Sequence, residues 1–147
     1  MLNLLGCEVV KLDCEPSGIF RRGTEPLPDN LGELSKQVLE NNADIGFAVD
    51  PDADRLAVVD EKGRPLGEEY TLVLSVDGYI NTLGVESDIF VSNLSTSIAL
   101  DKLALNNNCK VERSAVGEIN VVNKMNELDS NLGGEGNGGV ILRECHL

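Results

Sequence analysis

Three aspartates alternate with other residues between two strand-like apolar segments of the chain. Residues 50–55 read D-P-D-A-D-R. In an extended or gently turning loop, the carboxylates of Asp50, Asp52 and Asp54 lean the same way and repel one another unless a cation lies among them. A set made only of oxygen ligands favours a hard divalent ion, Mg²⁺ first and then Mn²⁺ or Ca²⁺. The spacing therefore predicts a metal site at these three aspartates.

Arg55 follows the third aspartate directly. Its planar guanidinium carries a permanent positive charge and suits oxygen-rich partners such as phosphate. A metal site and an arginine within one turn indicate phosphate chemistry, so Arg55 is the candidate catalytic residue.

An EF-hand calcium loop is an alternative interpretation of this motif. With Asp50 at its first position, Glu61 would fall at the twelfth, where the EF-hand has glutamate. The sixth position requires glycine for a sharp turn, however, and here it is Arg55. An EF-hand loop also joins two helices, whereas these flanks are strand-like. We therefore reject the EF-hand; a solvated turn without a ligand is the weaker remaining alternative.

A second candidate site is a glycine-dense loop at residues 133–139, G-G-E-G-N-G-G. Glycine lets the backbone adopt positive φ and lets a ligand approach closely. Glu135 and Asn137 are two residues apart, so a carboxylate and an amide can project into one concavity and bind sugar hydroxyls. A flexible surface turn remains open as the alternative. The loop lacks the G-K-[ST] of a P-loop, and a strand follows where a dinucleotide fingerprint would open a helix.

Composition restricts the classes of partner. The 147 residues carry a net charge of −13, with an isoelectric point near 4.3. This acidity disfavours nucleic acid and anionic membranes, and a phosphorylated ligand would need a local metal and local cations. The sequence contains no apolar run of the ~18 residues that a membrane span needs. The four cysteines are scattered, which favours a cytoplasmic protein with reduced thiols.

Strand and helix patterns alternate along the chain and predict the α/β class, as two consecutive units with parallel or mixed sheets. We predict strands at 7–12, 45–49, 56–60, 88–93, 109–113 and 140–142, and helices at 31–40, from 68 to about 80, 98–105 and 118–127. Asn30 is expected to cap the first of these helices, with Glu33 at the capping-box position. The pattern begins inside a helix and ends just after a strand, so we expect units truncated at both ends of the chain.

Two motifs together resemble the α-D-phosphohexomutases, the family of phosphoglucomutase, phosphomannomutase and phosphoglucosamine mutase. A-D-I-G-F-A-V-D-P-D-A-D-R-L-A-V-V-D at 43–60 is similar to the metal-binding loop of the family's second domain. G-G-E-G-N-G-G-V-I at 133–141 is similar to the sugar-binding loop of its third domain. Weaker similarities are L-G-C-E-V-V at 5–10, E-P-L-P-D-N-L at 25–31, V-S-N-L-S-T-S at 91–97 and A-V-G-E at 115–118.

The resemblance implies an organisation into two domains, residues 1–66 as the family's second domain and residues 67–147 as its third. The first domain, with its reactive phosphoserine, and the fourth, with its phosphate-binding loop, would be missing from this chain. It also implies residue roles. Mg²⁺ would be held by Asp50, Asp52 and Asp54, the reacting phosphate by Arg55, and the sugar hydroxyls by Glu135 and Asn137, with Gly117 and Glu118 close to the ligand.

The activity that this resemblance implies is the interconversion of hexose 1-phosphate and hexose 6-phosphate. It would proceed through a hexose 1,6-bisphosphate and an enzyme phosphoserine in a full-length enzyme that needs Mg²⁺. The 147 residues alone are expected to be inactive, and a non-catalytic fragment or a Mg²⁺-binding module is the alternative. The hexose is not readable from the motifs, although those at 91–97 and 134–139 lean towards a prokaryotic-type enzyme such as phosphoglucosamine mutase.

Overall fold

Two α/β units follow one another along the chain, as the alternating patterns predict. The computed structural model describes residues 1–146. The first unit contains β1 (Ile45–Val49), β2 (Leu56–Asp60) and α1 (Gly32–Glu40), with 3-10 helices at Leu2–Leu5 and Pro28–Asn30. The second contains strands β3 (Ile89–Asn93), β4 (Lys110–Ser114), β5 (Leu132–Gly134) and β6 (Val140–Leu142), and helices α2 (Glu69–Leu83), α3 (Ala99–Asn106), α4 (Glu118–Leu128) and α5 (Arg143–His146). Within residues 1–146, no helix combines the length and apolar character needed to cross a membrane.

The first unit places the aspartate motif at the end of a hairpin. β1 and β2 pair antiparallel, from Ile45 opposite Asp60 to Val49 opposite Leu56, so residues 50–55 form the connecting loop. Helix α1 packs its apolar face onto one side of this pair, where Val38 contacts the core formed with Val59. The pairing next to the loop therefore determines where its carboxylates lie.

The second unit is a three-layer arrangement around a mixed sheet with strand order β4-β3-β5-β6. The first three of these are parallel, and β6 is antiparallel to β5. Successive residues of β3 face opposite sides, since Phe90 packs with α2 and α3 whereas Val91 packs with α4. The carboxyl ends of the parallel strands meet at one edge, where open α/β sheets commonly bind ligands.

Two local predictions are wrong in the first unit. Residues 7–12 form no strand, because no strand of the described chain pairs with them. Asn30 does not cap α1, since the helix follows Leu31 without a side-chain cap bond. Asn30 instead ends the 3-10 helix, and its Nδ2 donates to the carbonyl of Glu25 at 2.8 Å.

The glycine-dense segment is partly a strand rather than wholly a loop. Gly133 and Gly134 belong to β5, which pairs with both β3 and β6. A Cβ on Gly133 would lie 2.7 Å from the Met125 sulfur of α4, and one on Gly134 would lie 2.2 Å from the Gly139 carbonyl oxygen. Glycine is thus required here for close packing of backbone and helix, which a local sequence pattern does not reveal.

Candidate functional site

The aspartate loop brings three carboxylates together. One oxygen from each of Asp50, Asp52 and Asp54 lies within 4.8 Å of the others. The loop is closed at its base by two backbone bonds, from Ala53 N to Asp50 O at 3.2 Å and from Asp50 N to Arg55 O at 3.3 Å. Asp50 is 2% exposed, whereas the other two aspartates are exposed. The loop therefore offers a hard cation one anchored ligand and two accessible ones.

Arg55 is tied to the buried aspartate of its own loop. Its Nε donates to Asp50 Oδ2 at 2.7 Å, and its backbone N–H donates to Asp50 Oδ1 at 3.2 Å. Burial alone would raise the pKa of Asp50, but these hydrogen bonds outweigh it and hold that pKa below its ordinary value. Partial desolvation, then the nearby carboxylates of Asp50 and Asp52, raise the pKa of Asp54. This mutual repulsion is what a divalent cation would relieve.

A second carboxylate, Glu25, holds the other side of the Arg55 guanidinium. Nη1 donates to Glu25 Oε2 at 2.7 Å and Nη2 donates to Oε1 at 3.3 Å. The hydrogen bonds to Glu25 and then to Asp50 raise the pKa of Arg55 above its already high value. Sequence reasoning assigned no role to Glu25, and its one signal was its place in the weak motif at 25–31.

Glu135 is fixed by two donors from different strand ends. Its Oε1 accepts a hydrogen bond from Asn93 Nδ2 at 2.5 Å and another from the backbone N–H of Gly117 at 3.0 Å. Gly117 has φ of +112° and precedes the first residue of α4, Glu118. A glycine adopts this backbone geometry readily, and the geometry places its N–H close to the carboxylate. Gly117 thus contributes through its backbone.

Asn137 shapes the end of the glycine-dense loop with its own side chain. Its Oδ1 accepts a hydrogen bond from the backbone N–H of Gly139 at 3.1 Å. The amide nitrogen carries two N–H donors, and the oxygen retains one lone pair beyond this bond. Asn137 would therefore act mainly as a donor, next to the acceptor carboxylate of Glu135.

The aspartate loop and the glycine-dense loop meet directly. The backbone N–H of Leu56 donates to the Gly138 carbonyl at 3.1 Å, and Arg55 forms an antiparallel bridge with Gly139. Thr71, at the start of α2, donates its hydroxyl to the Leu56 carbonyl. The resulting cleft is lined by Asp54, Arg55, Glu118, Gly134, Glu135, Asn137, Gly139, Val140 and Ile141. Asp50, Asp52 and Gly117, also expected at the site, adjoin this cleft without lining it.

Comparisons with known proteins identify the family of this chain. The model of phosphoglucomutase/phosphomannomutase α/β/α domain II matches residues 1–63, and that of domain III matches residues 58–147. This chain belongs to the phosphoglucomutase/phosphomannomutase family. The phosphohexomutase resemblance seen in the two motifs is thereby confirmed.

Relatives of the family align along nearly the whole chain. A phosphoglucomutase/phosphomannomutase of Thermococcus kodakarensis is 38% identical over 100% of the chain and 32% of its own length. A phosphoglucosamine mutase of Sulfurovum is 41% identical over 98% of the chain and also 32% of its own length. A solved family structure from Burkholderia thailandensis superposes with a TM-score of 0.84 at 25% identity, covering 97% of this chain and 31% of that one. The chain therefore spans about a third of the length of these relatives.

The carboxylates of this family member fit a hard divalent cation. Hydrogen bonds from Arg55 hold the pKa of Asp50 below its ordinary value despite burial, and each of its oxygens retains a lone pair beyond the bond to Arg55. The exposed carboxylates of Asp52 and Asp54 complete a set made only of oxygen, the donor that Mg²⁺ prefers. The local charge thus suits a cation.

Proposed function

We propose that residues 1–66 and 67–147 form the second and third domains of a phosphohexomutase. In the full-length enzyme, hexose 1-phosphate and hexose 6-phosphate would interconvert through a hexose 1,6-bisphosphate and a phosphoserine contributed from outside this chain. The observation that supports this most directly is the shared cleft, in which Arg55 of the aspartate loop and Glu135 of the glycine-dense loop line one surface. The chain covers about 32% of the length of its first relatives, so the phosphoserine would come from the part of the enzyme outside this chain.

The phosphate end of the cleft is assigned to the aspartate loop. Asp50, Asp52 and Asp54 would hold Mg²⁺, which when bound stabilises negative charge on the transferring phosphoryl group. Arg55 has five N–H donors, and three of them already bond to Glu25 and Asp50. The remaining two, one on each terminal nitrogen, are available for phosphate oxygens, in a guanidinium whose plane is already set.

The sugar end of the cleft is assigned to the glycine-dense loop. Since Oε1 of Glu135 takes both protein hydrogen bonds, its Oε2 is the acceptor for a sugar hydroxyl. The amide nitrogen of Asn137 would donate to a neighbouring oxygen. Glu118, in the first turn of α4, lies on the same lining and would contact the ligand or an ordered water.

The hexose partner follows from the family resemblance, the excluded partners and the location follow from composition, and all of them stay predictions. A phosphorylated hexose is the proposed small-molecule partner. The net charge of −13 disfavours nucleic acid and anionic membranes, and the scattered cysteines favour the cytoplasm.

The test is mutase activity of the full-length enzyme with glucose, mannose and glucosamine phosphates, each assayed with Mg²⁺. We expect turnover with at least one of them, and a fall in kcat/KM of about 10- to 100-fold for Glu135→Gln, because one hydrogen bond to a charged group is weakened. Glutamine is preferred to alanine, which would also leave the buried Asn93 amide without its acceptor. Glu86→Gln, an exposed change outside the cleft lining, is the matched control. Absence of turnover with all three sugars would contradict the proposal.

A further inference from the structure

Asn93 ends the central strand β3 and is almost fully enclosed, with 2% of its surface exposed. Its Oδ1 accepts hydrogen bonds from Ser95 N at 3.1 Å, Ser95 Oγ at 2.9 Å and Thr96 Oγ1 at 2.9 Å. Its Nδ2 donates to Glu135 Oε1. A buried amide with this many partners is an ordered part of the structure, because each unpaired polar atom would cost desolvation energy.

The orientation of this amide is determined by the backbone. An Asn side chain can often be turned so that its oxygen and nitrogen exchange places, but the backbone N–H of Ser95 can only donate. The atom that faces Ser95 must therefore be the oxygen, and the atom that faces Glu135 must be the nitrogen. Asn93 thus presents a donor, and never an acceptor, to the Glu135 carboxylate.

These hydrogen bonds make the two carboxylate oxygens of Glu135 different from each other. The Asn93 amide and the Gly117 N–H both donate to Oε1. Asn93 is the last residue of β3, and Gly117 lies between β4 and α4. With that oxygen anchored at two points, rotation of the carboxylate is restricted and Oε2 is the atom turned to a ligand in the cleft that Glu135 lines. Both anchors belong to the scaffold, so the orientation is established before a ligand arrives.

We propose that Asn93 is a positioning residue for the site: it orients the Glu135 carboxylate so that one oxygen is reserved for the ligand. This inference rests on the proposed function in that it assigns the ligand to Oε2. Asn93 itself does not line the cleft. It acts through Glu135, as an orienting partner acts on a group that binds substrate.

The decisive variant is Asn93→Asp, which keeps the size of the side chain and the acceptor for Ser95 and Thr96. It replaces the donor that faces Glu135 by a second carboxylate oxygen, and like charges at this separation repel. In the full-length enzyme we expect KM to rise about tenfold or more while kcat stays within about twofold, as for loss of a binding contact. Ser130→Ala is the matched control, since it removes a buried hydroxyl that donates to Ile89, at the opposite end of β3, at 2.6 Å.

A merely structural role would give a different result. Loss of folded enzyme lowers kcat and leaves KM unchanged, for Asn93→Asp as for Ser130→Ala. The positioning role makes a different prediction for an enzyme that already carries Glu135→Gln. There, Asn93→Asp should raise KM by less than about threefold, because residue 135 no longer carries a charge to repel. Full additivity of the two substitutions would overturn the inference.

A measurement without catalysis separates this inference from the proposed function. Amide exchange at Gly117, followed by NMR, should be at least about tenfold faster in Asn93→Asp than in the unmodified protein, because the displaced carboxylate no longer accepts that N–H. Unchanged exchange at Gly117 would overturn the positioning role even in an active enzyme. A third outcome is faster exchange at Gly117 in Asn93→Asp together with unchanged kcat/KM in Glu135→Gln. This outcome would keep the positioning role and refute the assignment of Glu135 to the ligand.

Discussion

Arg55 and Glu25 form a two-point contact although 30 residues separate them in the chain. Oε2 of Glu25 lies 2.7 Å from Nη1, and Oε1 lies 3.3 Å from Nη2. Asp50 holds Nε on the other side at 2.7 Å. The guanidinium is therefore oriented by two carboxylates, one from its own loop and one from the irregular segment before α1.

Replacing this glutamate tests whether it orients the guanidinium. We expect Glu25→Gln to lower kcat/KM of the full-length enzyme about fivefold, because a half-exposed ion pair is worth about 1 kcal/mol. Glu86→Gln removes the same charge from an exposed position and should have no effect. A rise in kcat/KM for Glu25→Gln would show instead that Glu25 competes with phosphate for Arg55.

The metal assignment predicts the behaviour of an aspartate variant in the 147-residue chain. Asp52→Asn should weaken the binding of Mn²⁺, used as a probe for Mg²⁺, roughly tenfold, because one of three carboxylates loses its charge. Asp44→Asn, another exposed aspartate of the first unit, is the control. Water proton relaxation in a Mn²⁺ titration gives the affinities, and equal values for the unmodified chain and Asp52→Asn would refute the site.

The contact between the two loops predicts that a glycine cannot be replaced. Gly138 has φ of +97°, and an added Cβ would lie 2.6 Å from the Leu56 carbonyl oxygen. We expect Gly138→Ala to lower the free energy of unfolding by about 1–3 kcal/mol, through backbone strain and this clash. Urea unfolding of both proteins measures the change.

For a glycine inside a helix, we expect the opposite change in stability on substitution by alanine. Gly78 lies within α2, where a Cβ would meet nothing within 4 Å. Gly78→Ala should therefore raise the free energy of unfolding by about 0.5–1 kcal/mol, through helix propensity. If Gly138→Ala raised the free energy of unfolding as Gly78→Ala does, strain and clash at the loop contact would be contradicted.

The pair of Asp60 and Arg64 at the end of β2 is expected to stabilise the fold in a way that depends on pH. The side-chain hydrogen bond from Arg64, then its backbone N–H, lower the pKa of Asp60. A group with a lowered folded-state pKa stabilises fully above its ordinary pKa and loses this contribution as pH falls through the lower folded value. The stability difference between the unmodified chain and Asp60→Asn should therefore be constant near neutral pH and shrink between that ordinary value and the folded one. A difference independent of pH would contradict the pairing with Arg64.

The sequence alone determined the local features of this protein. The apolar segments placed β1, β2, β6 and α4 close to their observed bounds, because the spacing of apolar residues favours a strand or a helix locally. The spacing did not show which face of β1 is buried, since Ala48 is buried there and the larger Phe47 is exposed. The aspartate motif could likewise be interpreted from the sequence, since its three carboxylates come from one short loop and need only local geometry to converge.

Tertiary structure alone decided how distant residues combine. β5 was missed because its glycines are dictated by the approach of α4 and a neighbouring backbone rather than by strand propensity. Glu25 reaches Arg55 across 30 residues and Asn93 reaches Glu135 across 42, separations at which no periodic pattern carries information. The meeting of the two loops depends likewise on backbone bonds between units, such as that from Leu56 to Gly138. Local spacing therefore specified which groups could do chemistry, while the packing of strands and helices specified which of them share a cleft.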